Sequence, residues 1–332
     1  MESSRIYFDY NASSLIRPES INSVNKILSS YGNPSSIHKE GRLMRSLIEE
    51  SREKVSKSLS TSSKNIIFTS GGTEAIDIAL NQSPGRLIIN STEHIAVFES
   101  AKRLNIDIDI LDVDSNGLIR MDLLENLLKK GPALVSIMLA NNETGTVQPV
   151  AELSKICHDA GAIFHCDAVQ APGRISININ LLGVDMLSIS GHKFGGPKGV
   201  GALIMPIDYS VSPTIIGGGQ ERGWRGGTEN IPGIVGMGHA AKLALEDLGN
   251  ADMLAKLRNY LEEEILELCP EVKVFGSSVN RLPNTSCLSM PGVQSETQVM
   301  AFDLAGIAVS AGSACSSGKV EPSHVLKAMG ID

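Results

Sequence analysis

Between about residue 65 and residue 205, short apolar runs alternate with segments of helical periodicity, and few architectures accommodate that alternation. NIIFT (65–69), RLIIN (86–90), ALVSIM (133–138), AIFHCD (162–167), VDMLSI (184–189) and VGALIM (200–205) read as strands. Thr73 to Asn81, Glu93 to Leu104, Met121 to Lys129 and Val150 to Ala160 read as the helices between them. Strands buried on both faces are continuous apolar runs, and a helical crossover between consecutive strands is what parallel pairing requires. The expectation is an α/β chain with a mostly parallel sheet flanked by helices.

After residue 245 the pattern changes. Leu254, Leu257, Leu261, Ile265 and Leu268 form one apolar stripe at helical spacing, ended by Pro270. Short strand-like pieces follow at 272–275, 285–290 and 307–310, then a helix from Pro322 to Met329. With 332 residues and no Ser/Gly-rich linker or repeat, two closely packed domains are expected. Residues 14–245 would form the larger, and residues 1–13 with 246–332 a smaller α+β domain.

Charge and composition exclude several classes. The chain has 29 basic and 37 acidic residues, net −8, and no Lys/Arg block, so it lacks the phosphate-neutralising clusters of a nucleic-acid binder. The most apolar long stretch, Ile231 to Leu245, contains His239 and Lys242, so no membrane span is expected. The N-terminus MESSRIYFDYNASS lacks the features of a signal peptide, and the expected compartment is the cytoplasm. Five cysteines at irregular spacing, without a CxxC pair, argue against a metal site or redox dithiol. Cys157, Cys166, Cys269 and Cys287 have apolar neighbours and are expected to act as small hydrophobes. Cys315 stands apart, in the small-residue segment Val309 to Gly318. It looks like a nucleophile on a tether, the alternative being a surface cysteine of no consequence.

Three further segments carry chemistry. Ser190-Gly191-His192-Lys193-Phe194-Gly195-Gly196-Pro197-Lys198-Gly199 follows an apolar strand, and a lysine delivered there, if desolvated, acquires the lowered pKa of a Schiff-base lysine. A lone lysine would more often be a solvated loop residue. Ser70-Gly71-Gly72-Thr73-Glu74-Ala75 opens a helix after a strand; its free N–H groups and glycines suit a phosphate, and a plain capped turn fits as well. In His165-Cys166-Asp167-Ala168-Val169-Gln170, a carboxylate at the end of a buried strand needs a cation. A pyridinium nitrogen would supply one, the alternative being a helix N-cap.

Together these segments closely resemble the cysteine desulfurases, pyridoxal-phosphate enzymes of the NifS/IscS kind. The likeness is carried by FDYNAS (8–13), YGNPSSIH (31–38), FTSGGTEA (68–75), STEH (91–94), MLANNETGTVQP (138–149), HCDAVQ (165–170), SGHKFGGPKGVGAL (190–203), GGGQERGWRGGTENIPGIVG (217–236) and SAGSACSSG (310–318). The lysine and cysteine segments resemble the NifS/IscS branch rather than the SufS branch. The resemblance implies the fold type I of pyridoxal-phosphate-dependent transferases. It implies that Lys193 bonds the cofactor aldehyde, Asp167 pairs with the pyridine nitrogen and Gln170 bonds the ring oxygen. His94 would stack on the ring and take part in proton transfer, and Asn142 would lie beside cofactor and substrate, although Asn141 to Gly145 also suits a plain turn. Gly72, Thr73, Ser190 and His192 would hold the phosphate, completed by Thr228 of a partner subunit, so a homodimer is implied. His38 and His165 are expected to be structural.

The implied reaction converts L-cysteine to L-alanine and leaves a persulfide on Cys315 for a sulfur-acceptor protein such as an iron–sulfur scaffold, or for thio-modification. Only Lys319 lies near Cys315 in sequence to favour its thiolate, so the cofactor site or a histidine is expected to help. The sequence given ends at Asp332, whereas relatives continue through an arginine that clamps the substrate carboxylate. Arg222 or Arg225 is one substitute; a truncated chain, or a scaffold that binds cofactor with low activity, are the others. A second enzymatic reading keeps the cofactor and changes the reaction, to an aminotransferase or a selenocysteine lyase.

Overall fold

A computed structural model describes residues 5–206, 209, 211–312 and 322–331. Its strands are β1 (Ile6–Tyr7), β2 (Ile66–Thr69), β3 (Arg86–Asn90), β4 (Asp107–Leu111), β5 (Leu134–Ser136), β6 (Ile163–Asp167), β7 (Met186–Ser190), β8 (Gly201–Ile204), β9 (Lys273–Val274), β10 (Leu288–Ser289) and β11 (Ile307–Ala308). Its helices are α1 (Pro18–Leu28), α2 (Lys39–Ser58), α3 (Gly72–Leu80), α4 (Ile95–Arg103), α5 (Met121–Leu128), α6 (Val150–Asp159), α7 (Ile179–Leu182), α8 (Ile231–Asp247), α9 (Ala251–Leu268), α10 (Ser295–Leu304) and α11 (His324–Ala328).

Seven strands form one sheet in the order β2-β8-β7-β6-β5-β3-β4. From β7 through β4 every pairing is parallel, and only β8 runs against its neighbours. Successive side chains alternate between faces: Ile88 joins a core with residues of α2, α5, α6 and α8, while Leu87 and Ile89 join one with α3 and α4. Helices therefore cover both faces, the expected α/β arrangement. The six expected strands form; β4 was not anticipated, because Asp107 and Asp109 interrupt its apolar character. At the sheet edge those charges are accommodated, Asp109 pairing with Arg86 at 2.6 Å and Lys130 at 2.5 Å.

The terminal segments meet outside this sheet. β1 pairs in parallel with β11, Ile6 opposite Ile307, and β9 pairs antiparallel with β10. Helix α9 forms where expected, yet its apolar stripe faces outward, with Leu257 58% and Leu268 84% exposed. Its inner side is organised by Glu262, which binds Arg281 through both carboxylate oxygens at 2.8 Å. Cys157 and Cys166 are buried and Cys287 half-buried, but Cys269 is exposed, contrary to expectation, because it caps the end of α9 beyond the packed turns. Among the described residues no helix is long and apolar enough to cross a membrane.

Candidate active site

Strands β3, β5, β6 and β7 run in one direction, and β2, antiparallel to the reversed β8, runs with them. Their C-terminal ends, Asn90, Ser136, Asp167, Ser190 and Thr69, therefore open on one edge, where α/β sheets collect their ligands. The segments leaving these ends carry His94, Asn142, Gln170, Lys193 and the Ser70–Thr73 turn.

Asp167 is the last residue of β6 and only 5% exposed; its Oδ1 accepts the Val169 amide at 2.9 Å. Burial pushes its carboxyl up to about 6, against the opposing pull of that amide and of the Lys193 charge. An anion held at this cost, beside a lysine, is a site for a cationic ring nitrogen. Lys193 ends a single 3-10 turn after β7, and its Nζ donates to the Asn11 carbonyl. Gln170 Nε2 donates to the same carbonyl at 3.0 Å. Ser14 straps the lysine turn from outside, its Oγ donating to the Lys193 carbonyl at 2.6 Å and its amide to the His192 carbonyl at 2.9 Å.

His94 caps α4, its Nδ1 accepting the Ala96 amide at 3.1 Å. Burial, reinforced by Lys193 and His324, holds the imidazole down at about 4, so at neutral pH it is uncharged with its proton on Nε2. His192 is likewise held down at about 4 by burial and by Lys193 and Lys198; its Nδ1 lies 3.3 Å from Ser13 Oγ. Asn141, rather than Asn142, makes the turn: its Oδ1 accepts the amides of Glu143 and Thr144 and its Nδ2 donates to the Thr92 carbonyl. That leaves Asn142 outside the turn's hydrogen bonds, with its carbonyl held by Asn11 Nδ2 at 3.1 Å.

The anion cradle is built at the start of α3, which lacks a side-chain cap. A Cβ on Gly72 would lie 2.9 Å from Val169 Cγ2 and 3.4 Å from Ser190 Cβ, so only glycine fits between the helix start and the β6 and β7 exits. Thr73 is exposed on the first turn, and Ser190 is buried against the Gly72 position. Thr228 is exposed on the wall of a cleft of about 260 Å³ that also includes Ser70, Gly199 and Arg225. These groups fit pyridoxal phosphate: a carboxylate for the ring nitrogen, an amine for the aldehyde, an amide for the ring oxygen and an uncapped helix start for the phosphate. Cys315 lies outside the described residues.

His165 is fully buried between Ser136 and Ser188, 2.8 Å from each hydroxyl, and burial holds it neutral with a pKa of about 3. His38 caps α2. Of the two arginines considered for the substrate carboxylate, Arg225 pairs with Glu74 at 2.8 Å and Arg222 donates to the Lys64 carbonyl. Sequence reasoning missed Asn11, which nothing local distinguishes from a turn asparagine, and Glu93. The Glu93 carboxyl is buried, and its Oε1 accepts the Met138 amide at 2.5 Å. Burial and the nearby Asp167 push it well above the ordinary carboxylate range. Its signal was an acidic residue in the short turn between a buried strand and a helix.

Fold and site together define a pyridoxal-phosphate-dependent enzyme of the aminotransferase class-V family, whose model matches residues 6–330. Among curated relatives, the cysteine desulfurase IscS of Dictyoglomus turgidum is 44% identical across 98% of this chain and 86% of its own length. A cysteine desulfurase of Cereibacter sphaeroides is also 44% identical, across 98% of this chain and 87% of its own. The solved structure of a NifS-like protein from Rickettsia africae superposes with a TM-score of 0.92 at 37% identity, covering 99% of this chain and 90% of that one. SspA in complex with cysteine superposes with a TM-score of 0.84 at 31% identity, covering 98% of this chain and 95% of that one. The chain belongs to the cysteine desulfurases, on their NifS/IscS-like side.

Proposed function

We propose that this protein converts L-cysteine to L-alanine and delivers the sulfur, as a persulfide on Cys315, to an acceptor protein for iron–sulfur cluster assembly or thio-modification. The observation that carries the reading is the convergence of Lys193 and Gln170 on the Asn11 carbonyl beside the buried Asp167. Bound pyridoxal phosphate supplies an electron sink for the pair released when the substrate Cα–H bond breaks. Asp167 holds the ring nitrogen in its charged form, Gln170 bonds the ring oxygen, and Lys193 anchors the aldehyde. Gly72, Thr73, Ser190 and His192 hold the phosphate, with Thr228 of a partner subunit. His94, uncharged and with Nε2–H free of the α4 cap, orients the ring and relays protons. Asn142 borders the substrate.

The sulfur step balances without an external oxidant: the substrate C–S bond breaks, an S–S bond forms to the Cys315 thiolate, and the carbon left behind takes up a proton. The protein acts as a cytoplasmic homodimer, residues 14–245 forming the cofactor-binding unit and residues 1–13 with 246–332 the unit bearing the cysteine.

The test mixes purified protein, saturated with pyridoxal phosphate, with L-cysteine and dithiothreitol. Equimolar alanine and sulfide, lost in Lys193→Ala and Cys315→Ala, are expected. Alanine production undiminished in Cys315→Ala would overturn the sulfur-transfer reading, and a protein that takes up no cofactor would overturn the whole assignment.

A further inference from the structure

Arg174 has no place in the assignments above, yet it is only 6% exposed, and no carboxylate pairs with it among the described residues. Its hydrogen bonds go to neutral oxygens. Nη1 donates to the side-chain Oε1 of Gln170 and, at 3.3 Å, to its main-chain carbonyl; Nη2 donates to the Tyr10 carbonyl at 2.9 Å. Burial lowers its pKa to about 10, which leaves it charged at neutral pH. A buried cation without a counter-ion is costly, so this position calls for a compensating purpose.

The geometry points to Arg174 as the positioning residue that decides which end of the Gln170 amide faces the site. A guanidinium offers only donors, so the amide must turn its oxygen toward Arg174 and its Nε2 toward the Asn11 carbonyl and Lys193. The Asn11 carbonyl, which only accepts, favours the same orientation from the other end, and Arg174 adds to it by holding the amide oxygen. The second arm of the fork, on Tyr10, holds the backbone directly before Asn11, so one side chain sets both the donor and the segment on which the lysine rests. Gln170 thereby presents an N–H to an anionic ring oxygen. The inference rests on the reading that Gln170 faces that oxygen.

The test compares Gln170→Ala, Gln170→Glu, Arg174→Met and Arg174→Lys in the cofactor-loaded protein. Two quantities are read: pyridoxal-phosphate affinity, from quenching of the single tryptophan, Trp224, and the pH midpoint of the bound cofactor's visible band. A donor draws electron density from the ring oxygen, so its loss should raise the midpoint. Gln170→Ala and Arg174→Met are each expected to raise it by about one pH unit and to weaken binding about tenfold. Gln170→Ala combined with Arg174→Met should be no worse than Gln170→Ala alone, and Arg174→Lys should recover most of the loss. Gln170→Glu, which pairs with Arg174 and presents no N–H, should raise the midpoint at least as far as Gln170→Ala; this arm does not depend on Arg174→Met folding. A wild-type midpoint in Arg174→Met or in Gln170→Glu, while Gln170→Ala is shifted, would overturn the role of Arg174 and leave the Gln170 reading standing. An unshifted Gln170→Ala would instead remove the reading on which it rests.

Discussion

Replacing Asp167 with asparagine should make the cofactor-free protein more stable at neutral pH and the cofactor-loaded protein weaker. The carboxyl is pushed from 3.8 to about 6, chiefly by burial. Each pKa unit is worth about 1.4 kcal/mol, so ionising Asp167 in the folded state costs about 3 kcal/mol. The sign follows from the raised pKa: the stabilisation is fully present below about pH 3.8, where both states hold the proton, and is lost as pH rises through about 6. An asparagine side chain never ionises and its oxygen still accepts the Val169 amide, so the substitution removes only this dependence. For a chain of this length about 3 kcal/mol corresponds to roughly 4 °C in Tm.

Scanning calorimetry of both cofactor-free proteins should therefore find equal melting temperatures near pH 4 and a gap of about 4 °C in favour of Asp167→Asn at pH 7. The comparison must be of the difference, because His94, His165 and His192 are held neutral with pKa values of about 4, 3 and 4. Their contribution runs oppositely, present above about pH 6.5 and lost as pH falls through those values, and it cancels between the two proteins. With pyridoxal phosphate added the order should invert, since only the carboxylate pairs with a cationic ring nitrogen; a loss of about 100-fold in affinity is expected for Asp167→Asn. A gap of the same size at pH 4 and pH 7 would refute the claim that Asp167 is an anion held at a cost.

Three further outcomes follow from particular contacts. Glu93→Gln preserves the acceptor for the Met138 amide and mimics a protonated carboxyl, so it should match the wild type in melting temperature and cofactor affinity, whereas Glu93→Ala, which frees the turn before His94, should lose about 3 kcal/mol by thermal denaturation. Gly72→Ala should weaken pyridoxal-phosphate binding more than tenfold by fluorescence titration, because the new methyl meets Val169 at 2.9 Å and displaces the helix start. His165→Ala strands two buried hydroxyls, those of Ser136 and Ser188, and should cost about 3 kcal/mol in calorimetry while leaving cofactor affinity unchanged.

Much of this arrangement is legible in the chain because it depends on short-range chemistry. A buried strand that ends in Asp167, or in Ser190 followed by Lys193, is anomalous against its apolar neighbours, and the glycines at 71 and 72 announce a close backbone approach. Helix and strand periods likewise decided the core elements to within a few residues. What the chain could not disclose are contacts between segments far apart in sequence. Asn11 meets Lys193 only because the N-terminal segment returns to the sheet edge, and Arg174 reaches Tyr10 across a separation of 164 residues. Helix α9 shows the same limit, since its periodicity marks an apolar stripe while the Glu262–Arg281 pair determines which side faces the protein. Local pattern specifies which residues share a face; which face is buried, and which end of an amide points inward, is settled only when the partner groups arrive in space.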